Sequence, residues 1–298
     1  MDNLPCAIQQ KLSCCDGIGI QPKRQGAYLH AELCDCVKSC PSCYGQARRL
    51  IDGKSSPCRL PNPARVVNIL NQAMIPARYA MAKLDHFANK TGNGQEILSA
   101  IRQWFHDFAP KDPKGLLLGG PVGVGKTYLL AAIAKHFAHR GHTVRFVDFF
   151  QLLNELKAGY SNDQTDGHVI QELIEVEILI IDELGKGRNS DWELSIIDQL
   201  VMGRYNQNKI IIASTNYGLK TNQRVALNYQ NDLTLDRRSF ELDQEQSLEF
   251  RVGARIYSRL VETCLMFELT GDDFRKRSLN DRRHIMNPGS GYERRPLS

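Results

Sequence analysis

The amino-acid sequence predicts an α/β fold in which a parallel sheet is covered by helices on both faces. Four short apolar runs follow one another along the chain: GLLL at 115–118, TVRFV at 143–147, EILII at 177–181 and KIIIAS at 209–214. Each run is rich in β-branched or aliphatic residues, as expected of strands that are buried on both faces. Helical stretches separate the runs, and this alternation is typical of parallel strands joined by crossover helices.

The composition is that of an ordinary soluble globular protein. The chain has 298 residues, of which 42% are hydrophobic and 24% are charged, so it can hold one α/β core and a smaller unit. It has no apolar run long enough to span a membrane and no basic start followed by an apolar stretch. We therefore expect a cytoplasmic protein with neither a membrane segment nor a signal peptide.

Composition also divides the chain into four parts. Residues 1–51 are rich in cysteine and are predicted to form a zinc-binding module; a contact of this module with a partner is implied only by the family resemblance given below. Residues 52–110 begin with a linker, in which Pro57, Pro61 and Pro63 oppose regular structure, and continue as two helices separated by KTGNG at 90–94. Residues 111–277 hold the α/β domain. Residues 278–298 form a basic tail, either solvated without fixed structure or following a phosphate backbone.

The strongest motif is GPVGVGKT at 120–127, which matches GxxxxGK[ST] in full. A strand precedes it and a helix follows it, as a phosphate-binding loop requires. Its backbone N–H groups and the helix N-terminus are predicted to bind the phosphates of ATP. Lys126 reaches the β- and γ-phosphates, and the Thr127 hydroxyl binds Mg²⁺. The predicted nucleotide-binding residues of this segment are Gly120, Pro121, Val122, Gly123, Val124, Gly125, Lys126, Thr127 and Tyr128.

Polar residues end the next two apolar runs. Asp182 and Glu183 follow ILII, and Asn216 follows IIIAST. Open α/β sheets bind ligands at the carboxyl ends of their strands, so these side chains are predicted to meet the nucleotide. Asp182 would hold Mg²⁺, Glu183 would deprotonate the attacking water, and Asn216 would contact that water or the γ-phosphate. The predicted catalytic set from these motifs is Lys126, Glu183 and Asn216.

These motifs, in this order, resemble the AAA+ ATPases. GLLLGGPVGVGKTYLLAAIA, VRFVDFFQLLNELKAGY, EILIIDELG and IIIASTN together are similar to the DnaC/DnaI helicase loaders and to their relatives, the IstB transposition helpers. AMIPARYAMAKLDHF at 73–87 also resembles the stretch that these proteins carry before the loop. The resemblance covers about residues 65–277.

The resemblance implies roles for three arginines. Arg259 corresponds to a catalytic arginine finger that reaches the γ-phosphate of a neighbouring subunit, with Arg255 as the alternative. Arg275, in GDDFRKR, corresponds to the sensor-2 arginine that contacts the nucleotide of its own subunit. A finger supplied in trans implies that the chain self-associates through its AAA+ domains.

The resemblance further implies a DNA-binding element at 146–160. Phe149, Phe150 and Tyr160 are candidates for stacking on the bases of single-stranded DNA, and Lys157 for contacting a phosphate. The alternative is that these residues belong to the core.

Eight of the nine cysteines lie in the first 58 residues. In a cytosolic protein such a cluster suggests a metal rather than disulfides. Four of six cysteines are predicted to bind Zn²⁺, with Cys40 and Cys43 joined by one residue from each of the two upstream pairs. A redox role for Cys40 and Cys43 is the alternative, and Cys264 is predicted to be a core residue in a helix. The six candidate ligands are Cys14, Cys15, Cys34, Cys36, Cys40 and Cys43.

The sequence therefore predicts an ATPase that uses ATP, Mg²⁺ and Zn²⁺. The leading hypothesis is an ATP-dependent loader of a hexameric replicative DNA helicase onto single-stranded DNA. The first alternative is a transposition helper that binds DNA and a transposase. The second is an ATP-binding switch that does not hydrolyse ATP, which the presence of Glu183 and Asn216 disfavours.

Overall fold

The computed structural model describes residues 15, 19–38, 48–51, 53–57, 62–87, 91–108, 113–159, 166–219 and 247–275. Several predictions lie outside these residues: those for Cys14, Cys40, Cys43 and Tyr160, and that for the tail at 278–298.

Two antiparallel hairpins and a short helix form the described part of the N-terminal region. The elements are β1 (Ile20–Gln25), β2 (Tyr28–Leu33), α1 (Asp35–Lys38), β3 (Arg48–Ile51) and β4 (Lys54–Pro57). The expectation that the proline-containing segment lacks regular structure was wrong at β4. Pro57 pairs with Arg48 at the end of the ladder, where a strand tolerates a residue without a backbone N–H.

The first hairpin packs against the segment that precedes the main domain. Leu29 donates a backbone hydrogen bond to Ile75 at 2.7 Å, and Ala77 donates one to Ala27 at 2.9 Å. The Asn71 side chain bonds both the N–H and the carbonyl oxygen of Ala31. Leu29 and Ala31 also lie in the same hydrophobic core as Ile75, so this hairpin is held by main-chain bonds as well as by apolar burial.

The two helices predicted before the main domain are present. They are α2 (Pro63–Gln72) and α3 (Gly94–Asp107). The side chain of Asn62 caps α2 by accepting a hydrogen bond from Ala64 N at 2.8 Å, and Pro63 occupies the first helical position, where its missing N–H costs nothing. The first helix ends at Gln72, well before KTGNG, and the second begins at the last glycine of that segment, Gly94.

The main domain is built on a parallel sheet of five strands in the order β6-β7-β8-β5-β9. The strands are β5 (Gly115–Gly119), β6 (Val144–Asp148), β7 (Ile178–Asp182), β8 (Ile210–Ser214) and β9 (Cys264–Glu268). The helices of this domain are α4 (Lys126–His139), α5 (Phe149–Gly159), α6 (Asp166–Glu175), α7 (Asp191–Asn206), α8 (Leu248–Val252) and α9 (Ala254–Thr263). The predicted α/β class, a parallel sheet covered by helices, is confirmed.

The sheet separates two hydrophobic cores. Leu116 and Leu118 of β5 face α2, α3 and α4, whereas Leu117 faces α5, α6, α7 and α9. The same alternation runs along β7 and β8, because successive residues of a strand point to opposite faces of its sheet. Both faces of the sheet are therefore buried under helices, which accounts for the uninterrupted apolar runs in the sequence.

The edge strand β9 was not predicted. Cys264 is buried, as expected, but it begins this strand rather than continuing the preceding helix. Burial raises the pKa of the Cys264 thiol to about 12. The run CLMF continues the helical apolar spacing of α9 without a glycine or proline to mark a boundary, so periodicity alone does not separate the two elements.

A fully buried arginine joins α6, α7 and the sheet. The guanidinium of Arg204 donates hydrogen bonds to backbone carbonyl oxygens at the end of α6, including that of Leu173 at 2.7 Å, and to that of Ile210 in β8. These bonds satisfy carbonyls that a helix terminus leaves unpaired. Among the described helices, none is long and apolar enough to cross a membrane.

Candidate nucleotide-binding site

The glycine-rich loop connects the end of β5 to the start of α4, at the carboxyl edge of the sheet. Gly120 and Gly123 have φ angles of 133° and 87°. A Cβ at Gly120 would lie 2.2 Å from the carbonyl oxygen of Leu269, and one at Gly123 would lie 2.0 Å from Oδ1 of Asp273. Both the backbone conformation and the close approach of the segment after β9 therefore require glycine at these positions.

Lys126 is buried within the loop that it follows. Its Nζ donates hydrogen bonds to the carbonyl oxygens of Gly120 and Pro121 at 2.6 and 2.8 Å. Burial lowers the pKa of Lys126 to about 8, while the charges of Asp182 and Glu183 oppose that shift. The ammonium group is thus held beside the loop by weak neutral acceptors, which the oxygens of a phosphate can replace.

Asp182 ends β7 and is buried beneath the loop. Burial raises the pKa of Asp182, and hydrogen bonds from the hydroxyls of Ser214 and Thr127 act in the opposite direction. Thr127 and Asp182, the two predicted Mg²⁺ ligands, are therefore in contact. A hydroxyl and a carboxylate are oxygen donors of the kind that Mg²⁺ prefers, so the residues present fit this ion.

Glu183 follows Asp182 in a left-handed backbone conformation, with φ of 57°. Such a conformation is uncommon for a residue with a side chain. It is fixed by two bonds to β8, because Glu183 N donates to Ser214 Oγ at 3.2 Å and Leu184 N donates to Ser214 O at 2.7 Å. The carboxylate forms an ion pair with Lys186 and is only partly exposed.

One cavity of about 400 Å³ collects most of the predicted nucleotide-site residues. Asn216 and Arg275 line it, and the Arg275 guanidinium also lies 3.2 Å from Oδ1 of Asp273. Three loop residues form the turn without lining the cavity: Gly120, Pro121 and Val124. The lining residues that the sequence predicted are Val122, Gly123, Gly125, Lys126, Thr127, Tyr128, Asp182, Glu183, Asn216 and Arg275.

Sequence reasoning missed a second group of lining residues. The segment 77–87, which we call the wall segment, contributes Arg78, Tyr79, His86 and Phe87 to the cavity. Ser214 was also missed as a site residue, although its position as the first polar residue of its strand, beside Asp182, is a usable signal. The wall segment carries no such signal, because it precedes the loop by some 40 residues in two irregular turns.

Arg259 does not line the cavity of its own chain. It lies on α9, where its guanidinium stacks over Tyr205 at 4.6 Å from the ring centroid and donates to Glu262 Oε2 at 2.9 Å. Arg255 is exposed and lies 4.0 Å from Asp198. Both arginines lie at the surface of the described domain, away from the cavity formed by the glycine-rich loop.

The proposed DNA-binding residues differ in their exposure. Phe149 is buried in the core, so the suggestion that it stacks on bases was wrong for this residue. It begins α5 directly after β6, where its ring faces the sheet. Phe150 is 42% exposed and lies beside Lys186, whereas Lys157 pairs with Glu193 at 3.2 Å and lies over Trp192.

Three cysteines come together near the first hairpin. The sulfurs of Cys15, Cys34 and Cys36 all lie within 4.8 Å of one another, so both members of the Cys34/Cys36 pair lie in this cluster, whereas the prediction took one. Gly19 N donates to Cys15 Sγ at 3.2 Å, and Gln21 Nε2 donates to Cys34 Sγ at 3.4 Å. Three converging thiols, two of them with N–H donors directed at sulfur, suit a tetrahedral metal such as Zn²⁺.

The part of the chain that carries this site is similar in sequence to known proteins. A family model described as IstB-like ATP binding protein matches residues 61–237. The chain is 29% identical over 132 residues to the replicative helicase loader DnaC of Escherichia coli, covering 44% of this chain and 54% of that protein. It is 29% identical over 171 residues to an ATP-binding protein in an insertion sequence of Mycobacterium tuberculosis, covering 55% of this chain and 65% of that protein. The matched region thus spans a little over half the length of these curated relatives.

Two solved structures share the fold. The crystal structure of the DnaC helicase loader superposes with a TM-score of 0.52 and 29% identity, covering 65% of this chain and 99% of that one. The crystal structure of DnaI superposes with a TM-score of 0.50 and 25% identity, covering 65% and 94%.

Proposed function

The chain belongs to the family of IstB-like ATP-binding proteins, and on that premise we propose that it is an ATP-dependent loader of a replicative DNA helicase onto single-stranded DNA. The observation that carries the ATPase part is the meeting of Lys126, Asp182 and Glu183 in one cavity at the edge of a parallel sheet. The loader part is supported by likeness to DnaC in both sequence and fold.

In the proposed reaction, the loop amides and Lys126 bind the phosphates of ATP. Thr127 and Asp182 would hold Mg²⁺, which would supply positive charge beside the phosphates. Glu183 accepts a proton from the attacking water. The water oxygen forms a bond to the γ-phosphorus, and the bond between that phosphorus and the β–γ bridging oxygen breaks. The products are ADP and phosphate. Asn216 would orient the water or contact the γ-phosphate, and Arg275 would contact the nucleotide of its own chain; both line the cavity.

The Glu183 carboxylate accepts a hydrogen bond from the Lys186 ammonium. Release of that contact would leave the carboxylate available to bind the attacking water. Lys186 also lies 5.6 Å from the centroid of the exposed Phe150 ring. Single-stranded DNA bound at Phe150 would offer Lys186 a phosphate in place of Glu183, which is how we propose that DNA stimulates hydrolysis.

The helicase would bind through the cysteine-rich N-terminal region, with Zn²⁺ holding that region in shape. The proposed ligands include Cys15, Cys34 and Cys36, whose sulfurs converge, and the fourth comes from Cys14, Cys40 or Cys43. The AAA+ domains would associate so that Arg259 of one chain reaches the nucleotide of the next. Binding of ATP would assemble the complex on DNA, and hydrolysis would release the helicase.

A transposition helper is the second candidate. It is favoured by the family description and by the insertion-sequence protein, whose match covers a longer stretch of this chain than the match to DnaC of Escherichia coli. Such a protein would bind DNA together with a transposase.

Copurification distinguishes the two candidates. The chain is purified from its own host through an affinity tag in the presence of ATP, with the Lys126→Ala variant as the control that cannot bind nucleotide. A loader recovers a hexameric replicative helicase in an ATP-dependent manner. Recovery of a transposase instead would support the helper.

A further inference from the structure

A second cavity lies on the opposite side of the wall segment from the nucleotide-binding cavity. Its volume is about 850 Å³, roughly twice that of the nucleotide cavity. Strand β1 forms one side, the wall segment another, and the C-terminal halves of α3 and α4 the floor. The volume is in the range of sites that bury a sizeable ligand. We call it the basic cavity.

Positive charge predominates in this lining. Within the described part of the chain, the carboxylate that lines this cavity is that of Asp85, which pairs with Arg102 at 2.7 Å. A second carboxylate, that of Glu32, reaches Lys23 at 2.6 Å from outside the lining. Among the residues that the structure describes, five cations line the cavity: Lys23, Lys83, Arg102, Lys135 and Arg140.

Lys135 differs from most surface lysines because it is only 6% exposed, so its charge is largely removed from water. Its Nζ donates hydrogen bonds to the carbonyl oxygens of Ala80 and Ala82 at 2.5 and 2.9 Å. Burial, and to a smaller extent the charge of Lys83, lowers the pKa of Lys135 to about 8. A buried ammonium balanced only by carbonyl dipoles is costly, and an acidic ligand would reduce that cost.

The rest of the lining is apolar. Ile20, Leu70, Leu84 and Phe105 line the basic cavity, and Met81 is 55% exposed at its rim. An exposed methionine beside an apolar floor is a common feature of surfaces that accept peptides. The ligand that fits therefore brings both acidic groups and apolar groups.

We propose that the basic cavity is the docking site for an acidic, partly apolar peptide segment of a protein partner. The cations would attract carboxylates and phosphates alike, but the apolar floor favours a peptide over single-stranded nucleic acid, whose bases stack on free aromatic faces. The one phenylalanine in the lining, Phe105, has its ring centroid 3.8 Å from that of His136 and carries the Arg140 guanidinium at 5.8 Å. The Phe105 ring is therefore already in contact with side chains of its own chain, His136 and Arg140.

The wall segment connects this docking site to the nucleotide. Arg78, Tyr79, His86 and Phe87 face the nucleotide cavity, while 81–85 face the basic cavity. The hydroxyl of Tyr128, next to the phosphate-binding loop, accepts a hydrogen bond from Lys83 N at 3.1 Å and donates one to Lys83 O at 3.0 Å. A peptide that moved Lys83 would therefore be coupled to the nucleotide site, and ATP and peptide would then alter each other's affinity by the same factor.

A synthetic peptide tests the docking site directly. The probe is a fluorescein-labelled peptide in which glutamates alternate with leucine and phenylalanine, and its matched control carries glutamine at every glutamate. Binding to the full chain is measured by fluorescence anisotropy with and without ATP. The cavity variants are Lys23→Glu and Arg140→Glu. Arg24→Glu is the matched control, because Arg24 neighbours Lys23 on β1 but does not line the cavity.

We expect the acidic peptide to bind at least ~10-fold more tightly than the glutamine peptide, and each cavity variant to lose at least ~10-fold in affinity, about the effect of one close charge pair. Arg24→Glu should bind within ~2-fold of wild type, within the range of an exposed charge. Melting temperatures confirm that each variant is folded. The peptide's affinity should also change when ATP is added.

Three results would overturn the proposal: no binding of the acidic peptide, equal binding of the two peptides, or equal binding by wild type and both cavity variants. Loss of single-stranded DNA binding in the cavity variants, with peptide binding unchanged, would assign the cavity to nucleic acid instead. The proposed docking site depends on the proposed function in one respect, which is that both require a protein partner. Peptide binding requires no hydrolysis, so an inactive ATPase that still binds the peptide would count against the proposed function alone.

Discussion

The hydroxyl of Ser214 donates a hydrogen bond to the buried carboxylate of Asp182. The same oxygen accepts a hydrogen bond from the backbone N–H of Glu183. One side chain at the end of β8 therefore positions both acidic residues at the end of β7. This contact favours the charged form of Asp182 against the effect of burial, which raises the pKa of that carboxyl.

Replacing Ser214 by alanine should weaken Mg²⁺-dependent hydrolysis. The charged Asp182 would lose a hydrogen bond, and such bonds contribute about 1.5–3 kcal/mol, so turnover at fixed Mg²⁺ should fall roughly 10- to 100-fold. Ser214→Thr keeps the hydroxyl and should restore most of the activity. Ser195→Ala, on α7 beside Gln199, is the control. Equal turnover in Ser214→Ala and wild type, across a titration of Mg²⁺, would show that the contact does not matter.

Replacing Lys186 by alanine should raise hydrolysis in the absence of DNA. The change frees Glu183 from its ion pair, and an exposed pair contributes up to ~1 kcal/mol, or about five-fold in rate. The ratio of rates with and without single-stranded DNA should fall towards one. Lys157→Ala removes a different lysine–carboxylate pair, with Glu193, and should leave the DNA-free rate unchanged. A lower DNA-free rate in Lys186→Ala would mean that Lys186 assists Glu183 rather than restraining it.

Protein purified without a histidine tag should contain about one Zn²⁺ per chain by elemental analysis. Cys15→Ser and Cys36→Ser should each lose most of the metal, because their sulfurs lie 3.5 Å apart in the thiol cluster. Cys264→Ser, in the core of the other domain, should retain it. Less than a tenth of an equivalent of zinc in wild-type protein with intact thiols would refute the metal site.

Mixing two inactive variants tests whether Arg259 acts in trans. Arg259→Ala should bind ATP yet hydrolyse it ~10³-fold or more slowly, the usual contribution of an arginine finger. Lys126→Ala lacks a working phosphate-binding loop but keeps its arginine. Mixed together, they create interfaces in which one chain supplies the loop and the other the finger, so activity should partly return.

The control for this experiment is Glu262→Gln. Arg259 also contacts Glu262 and Tyr205 in its own chain, and Glu262→Gln weakens that contact while keeping the arginine. It should remain active. A mixing curve with no gain at any ratio, although the variants are shown to associate, would leave the trans role without support.

Much of the fold could be predicted because the strands of the central sheet are buried on both faces. Burial on both faces leaves apolar runs without alternation, and three of the five strands, β5, β7 and β8, carry that pattern. In β6, buried residues alternate with partly exposed ones. The edge strand β9 escaped prediction because its first apolar residues continue the spacing of α9. The presence of Pro57 led to the wrong prediction for β4, because a proline is excluded from the centre of a sheet but tolerated at the end of a hairpin.

The chemistry of the site could be predicted where it is local in sequence. Lys126, Asp182, Glu183 and Asn216 each follow a strand or loop with a recognisable pattern, and all line one cavity. The wall segment could not be foreseen, because its contribution depends on long-range hydrogen bonds such as that between Lys135 and Ala80. The burial of Arg204 depends in the same way on carbonyls distant in sequence.

The central claim, that Glu183 activates water for hydrolysis of ATP bound in this cavity, is tested most directly by Glu183→Gln. Amide and carboxylate have nearly the same shape, so ATP affinity should stay within ~2-fold of wild type. Phosphate release in the presence of Mg²⁺ and single-stranded DNA should fall at least ~100-fold, the scale expected for loss of a general base. Phosphate release at the wild-type rate in Glu183→Gln would contradict the account.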